Sequence, residues 1–176
     1  MSVTCASFST QDFLPDGSRV YLRAIHPDDR KSLREELFLK LSPESLRNRF
    51  FGLKLDLTPR ELSYFTDVDF LNHVAFVAEV ERGPHRRLVG VGRFVRGNGK
   101  SDHAEIAITV IDEFQGKGIG SLLLRQLINC ARELGVVKLE GSMFAQNTGM
   151  AKLLRKTRLP YRSRHESGMV SMSLDL

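Results

Sequence analysis

The stretch Gln115-Gly116-Lys117-Gly118-Ile119-Gly120 decides how this chain reads. It lies between a strand-like run, Ala104 to Ile111, and an amphipathic helical run, Ile119 to Leu134. Glycines without Cβ atoms let a backbone come close to a ligand. A helix that starts at the end of such a loop turns unpaired N–H groups and its positive dipole end toward it. This combination suits an anion, most often a phosphate, and Lys117 adds a positive charge. The alternative is a flexible turn before a helix.

Two common phosphate loops do not fit. The P-loop needs Ser or Thr directly after Gly-Lys, and Gly118 stands there. The dinucleotide fingerprint needs glycine at Ser121, and the last glycine falls one residue early.

The flanking sequence predicts a mixed α/β fold. Residues 1–17 are polar, end in the turn Pro15-Asp16-Gly17, and read as an arm or an added edge strand; residues 18–176 read as one domain. Val20 to Ile25 is a first strand. His26-Pro27-Asp28-Asp29 starts a helix with an Asp cap, and Leu33, Leu37 and Leu41 recur every four residues. Ser42-Pro43 and Thr58-Pro59-Arg60-Glu61 start two more helices, the second with a capping box. Val74 to Val80, Leu88 to Arg96 and Ala104 to Ile111 form a meander with hairpin-length links, one of them Gly97-Asn98-Gly99. In the following helix, Ile119, Leu122, Leu123, Leu127, Cys130, Ala131 and Leu134 make one face, and Gly135 stops it. A strand from Val136, a helix from Asn147 to Lys156 and a last strand from Met169 follow, while Arg162 to His165 reads as a loop. The expected architecture is a central, mostly antiparallel sheet with helices on both faces and one right-handed parallel crossover.

Composition narrows the function classes. The chain has 176 residues, 41% of them hydrophobic, enough for one domain with a sizeable core. No run approaches a membrane span, and Met1 to Ser7 lacks the basic and apolar regions of a secretory signal. Cys5 and Cys130 are too few for a disulfide framework, and Cys130 reads as a buried free thiol, which fits a reducing cytoplasm. The net charge of +5 favours anionic partners. The basic residues are dispersed rather than interleaved with aromatics, which argues against nucleic acid. No metal is expected, and the oligomeric state is not readable from the sequence, a dimer being one option.

The remaining motif, Q-x-x-G-x-G over Gln115, Gly118 and Gly120, resembles the pyrophosphate loop of the GNAT superfamily of N-acetyltransferases. The element order matches that fold over almost the whole chain. The resemblance implies acetyl-CoA as co-substrate, without a metal, in the gap between two splayed parallel strands. Its diphosphate would lie on Gln115, Gly116, Lys117, Gly118, Ile119, Gly120 and Ser121. Thr109, Val110 and Ile111 would pair with its pantetheine arm, and the Val110 N–H would hold the oxyanion. Asn147, otherwise a plain helix cap, would contact the cofactor, with Met150 three residues later. Many members place a tyrosine acid where this chain has Leu154.

Glu105 is the candidate general base. It stands among apolar strand neighbours, where partial burial would favour the neutral form. The bland alternative is a carboxylate paired with a cross-strand arginine such as Arg93. Some protein-acetylating members of the superfamily carry a Glu in an Ala-Glu-aliphatic strand at this spacing. His103, on the same face, reads as a solvated strand start.

A narrower resemblance runs through Leu22 to Asp29, Leu41 to Ser45, Arg49-Phe50-Phe51 and Val74 to Ala78. These segments are similar to the acetyltransferase domain of bacterial Pat-type protein lysine acetyltransferases. That implies a protein lysine as acceptor, a small-molecule amine being the alternative, as is an acetyl-CoA-binding module with little turnover. The ligand-binding domains fused in that family have no expected counterpart in this length.

Overall fold

The computed structural model describes residues 5–97 and 101–176. Asn98 and Gly99 of the expected turn lie outside the described residues. An eight-stranded sheet runs β1 (Ser9–Phe13), β2 (Arg19–Ala24), β3 (His73–Arg82), β4 (His85–Arg96), β5 (His103–Val110), β6 (Lys138–Phe144), β8 (Met169–Asp175), β7 (Tyr161–Glu166) in spatial order. All neighbours are antiparallel except β5 and β6. The helix α4 (Ile119–Glu133) makes that parallel crossover.

Local chemistry places the helices. α1 covers 27–40, with 3-10 turns at Pro27–Asp29 and Phe38–Lys40 and a π turn at Leu33–Leu37. Its cap is His26 rather than an Asp: the imidazole accepts from the Asp28 N–H while Asp29 accepts from the His26 N–H. Asp29 is therefore the distal half of a capping box, which the acidic first turn concealed. Ser42 caps α2 (Pro43–Phe50), and Thr58 with Glu61 boxes the start of α3 (Pro59–Thr66).

α4 lies across the other face of the sheet, over Gly90 and Gly92. A Cβ on Gly92 would meet Leu127 Cδ1 at 2.9 Å, so glycine is what lets the helix sit this close. Ile119, Leu123, Leu124, Leu127, Ile128, Cys130 and Ala131 fill the interface. Burying side chains of this size contributes roughly 1.5–3 kcal/mol each before chain entropy is counted.

Two expectations are corrected. Cys130 is not a free thiol: it is bonded to Cys5 across 125 residues of sequence. A short turn, Cys5–Ser7, leads into β1 at the sheet edge and brings Cys5 into the core that α4 shares. Arg162 to His165 is not a loop but most of β7, paired with β8 through a tight turn at Ser167 and Gly168, both at positive φ. Its residues are polar because it is an edge strand largely open to water.

Candidate active site

The site begins where β5 and β6 part. They pair only from His103 to Glu105 against Lys138 to Glu140. At the next position, a Cβ on Gly141 would lie 2.7 Å from Met172 Cε and 3.3 Å from the Ile106 carbonyl oxygen. Beyond it the strands diverge around a cleft of about 330 Å³.

The β4–β5 ladder decides which backbone groups face this cleft. The Ile111 N–H donates to the Val89 carbonyl at 3.0 Å, which makes Ile111 and Val89 a bonded pair. Antiparallel pairs alternate between bonded and non-bonded. The pairs Gly90–Val110 and Gly92–Ile108 are therefore non-bonded toward each other, and Ile108 and Val110 turn their N–H and C=O groups into the gap. Gln115 Nε2 donates to the Val110 carbonyl at 3.0 Å and to Ser45 Oγ at 3.1 Å. The Val110 N–H is left facing the cleft.

The glycine loop closes the far end. Gly118 is the N-cap of α4 at φ 102°, a backbone that side chains rarely adopt, and no side chain caps the helix. The first-turn N–H groups thus keep their positive end toward the cleft. Asp112 braces the loop. Burial alone would raise its carboxyl, but hydrogen bonds from the Ser42 N–H and the Ser42 and Ser45 hydroxyls hold it below the usual range.

Of the residues singled out from sequence, Glu105, Thr109, Val110, Gln115, Gly116, Gly118, Gly120, Ser121, Asn147 and Met150 line the cleft. Ile111, Lys117 and Ile119 do not. The Ile111 and Ile119 side chains are in the core, and Lys117 is exposed with Nζ 4.8 Å from the Phe114 ring centre. Asn147 caps α5 (Thr148–Arg155), accepting from the Met150 N–H at 3.2 Å. Leu154 is 1% exposed and belongs to the core.

Sequence reasoning missed part of the lining. Lys152 and Lys156 reach the cleft from one face of α5, and Ser45, Asn48 and Arg49 from one face of α2. Their spacings of three and four residues were the available signal.

Glu105 is exposed rather than partly buried. Ala104 and Ile106, the apolar neighbours behind the burial expectation, point to the opposite face of the strand. Nor does Glu105 pair with Arg93. In register it faces Val95, while Arg93 faces Ala107. Arg93 lies under the helices, 5% exposed, stacked on Phe65 and donating to the Phe65 carbonyl and to His73 Nε2 at 3.1 and 3.0 Å. Burial, with the charge of Arg49 second, pushes Arg93 down to about 9. Burial, then Arg93 itself, pushes His73 down to about 4, so its ring is neutral and Nε2 can accept. Arg49 stacks over Phe50 and Phe65; burial lowers it, and the Glu105 carboxylate opposes that shift. His103 sits 3.5 Å from Glu140 at the open strand start.

Glu105 lines two spaces: this cleft, and an open groove on the sheet face bounded by His103, Glu140, Ser142, Ser171, Arg162 and Arg164. Among the described residues there is no group of acidic, His and Cys side chains that could hold a metal, and no helix is long and apolar enough to cross a membrane.

The profile of the acetyltransferase (GNAT) domain matches residues 19–159. Acetyltransferase PA5475 of Pseudomonas aeruginosa is 33% identical over 141 residues, covering 80% of this chain and 74% of that protein. Acetyltransferase Pat of Mycolicibacterium smegmatis is 32% identical over 162 residues, covering 91% of this chain but 46% of Pat, so the chain spans about half of that relative. The crystal structure of the GNAT domain of S. lividans PAT superposes with a TM-score of 0.84 at 28% identity, covering 96% of this chain and 97% of that one. The chain belongs to the GNAT family and is an acetyl-CoA-dependent acetyltransferase.

Proposed function

We propose that the protein transfers the acetyl group of acetyl-CoA to the ε-amine of a protein lysine, by direct transfer in a ternary complex. The observation that carries this reading is the place of Glu105, at the junction of the cleft and the open groove. A thioester in the cleft and an amine in the groove would meet beside its carboxylate. The groove is shallow and floored by strands, a shape that suits a side chain presented by a polypeptide. The resemblance of Leu22 to Asp29, Leu41 to Ser45 and Val74 to Ala78 to Pat-type protein lysine acetyltransferases supports the same acceptor class.

In this reading Glu105, directly or through water, takes a proton from the acceptor ammonium. The freed amine forms a bond to the thioester carbonyl carbon, and the Val110 N–H holds the resulting oxyanion. The attacking nitrogen gives up its second proton to water, collapse breaks the C–S bond, and solvent protonates the thiolate, since Leu154 offers no hydroxyl. The α4 N-terminus and the loop from Gln115 to Ser121 would hold the diphosphate, with Lys152 and Lys156 as positive neighbours. The Cys5–Cys130 bond removes the free thiol that pointed to a reducing cytoplasm, so a cytoplasmic setting rests in this reading on the co-substrate alone.

Initial rates with lysine peptides and with small amines, at several acetyl-CoA concentrations, test this directly. Intersecting double-reciprocal lines with a peptide are expected. Parallel lines would indicate an acetyl-enzyme and contradict direct transfer. Turnover of small amines alone would contradict the protein acceptor.

A further inference from the structure

The groove floor carries an ordered charge pattern. Register pairs place Glu105 beside Glu140, Glu140 beside Ser173, and Ser173 beside Arg162. A second row runs Ser142, Ser171, Arg164. Partners in register point to the same face of a sheet, so these side chains share the face that carries Glu105. The opposite face holds Leu139, Met143, Val170, Met172 and Leu174, which are buried. A further row, His103, Lys138 and Asp175, borders the first on the same face; between that row and Ser142 the face presents Glu105 and Glu140 on the β5–β6 side and Arg162 and Arg164 on the β7 side, with small hydroxyl side chains between them.

The basic end is available to a partner. The side chains of Arg162 and Arg164 are 78% and 82% exposed. Their ion-pair contacts within the chain are long, 3.6 Å to Asp175 and 3.9 Å to Glu166. Exposed pairs of this kind contribute little and are readily exchanged. The serines leave room for a backbone to lie close and offer it hydroxyl hydrogen bonds.

We propose that this face reads the acceptor sequence: the lysine enters at Glu105 and Glu140, and an acidic side chain of the same segment rests on Arg162 and Arg164. From β5 to β7 there are three strand spacings, about 14 Å. An extended chain advances about 3.3 Å per residue, so the acidic residue lies about four positions from the lysine. The proposal rests on a protein lysine as acceptor and adds a sequence rule to it.

The test compares acetylation of lysine peptides that carry Glu four residues before the lysine, four after it, or at neither place. The wild-type protein and the Arg162→Ser/Arg164→Ser variant are assayed in parallel. Both arginines are exposed on an edge strand, so the variant keeps its core. One of the two Glu peptides should show kcat/KM roughly 1.5- to five-fold above the neutral peptide, a size set by exposed charge pairs. That advantage should disappear in the variant and shrink with added salt. Equal rates for all peptides, or an advantage that survives in the variant, would overturn the sequence rule and leave the lysine reading standing. Acetylation of small amines but of no peptide would remove both.

Discussion

One face of the sheet has two halves that treat charge in opposite ways. Over β2 to β5 it lies beneath α1 to α3; over β8, β7 and the part of β6 before Phe144, which Phe51 and Arg47 cover, it is open. Arg93 in the covered half is 5% exposed, neighbours a neutral His73 and is pushed down to about 9 by burial and then Arg49. Arg164 in the bare half has its side chain 82% exposed. A guanidinium under cover is fixed by the fold and bears on stability. One in water costs the fold little and is free to meet a partner. Glu105 stands at the seam, in register with Val95 on one side and Glu140 on the other.

Among substitutions in the two halves, replacing Arg93 should have the largest effect. Arg93→Ala strips His73 Nε2 and the Phe65 carbonyl of their donor. Urea unfolding should show a loss of about 2–4 kcal/mol. A loss below about 0.5 kcal/mol, the scale of neutral surface changes, would mean that the covered half does not hold its charge structurally. Opening the Cys5–Cys130 bond is of similar size. The bond closes a chain segment of 125 residues, so reduction should cost about 2–4 kcal/mol. A Cys5→Ser/Cys130→Ser variant should match the reduced protein in denaturation and leave acetyl-CoA affinity unchanged.

His73 makes the covered half sensitive to pH. Unfolded, it takes up its proton near pH 6.5; folded, only near pH 4. Between those values the unfolded state binds more protons, so stability falls as pH drops from about 6.5 to about 4. The loss across that window should be roughly 1–3 kcal/mol. His73→Gln keeps an acceptor for Arg93 and should flatten this part of the profile. An unchanged profile would remove His73 as its source. The smallest effect belongs to the bare half: Arg162→Ser/Arg164→Ser should alter unfolding free energy by no more than about 0.5 kcal/mol. A larger loss would show that those arginines serve the fold.

The sequence made the scaffold readable wherever local chemistry acts alone. The Thr58 to Glu61 box, the alternating strands and the stop at Gly135 all rest on neighbours a few residues apart. Features made by tertiary contact were not readable. Nothing near Cys5 announces Cys130, because the edge hairpin must first dock. β7 lacks the apolar alternation of a strand because it lies at an edge, and only Ser167-Gly168 marked its hairpin. The same limit applies at the site. The loop glycines showed where α4 begins, but the exposure of Glu105 depends on which strand face the helices leave bare. Arg49, Lys152 and Lys156 became visible only when their helices were placed around the cleft.

The proposed role of Glu105 is to serve the acceptor amine and not the co-substrate. Glu105→Gln tests it in one paired measurement: calorimetric titration with acetyl-CoA, and turnover of a lysine peptide from pH 6 to 9. Acetyl-CoA affinity should stay within about two-fold, while turnover at neutral pH falls about 10²- to 10⁴-fold and recovers in part as pH rises. Unchanged turnover, or a loss matched by an equal loss of acetyl-CoA affinity, would contradict it.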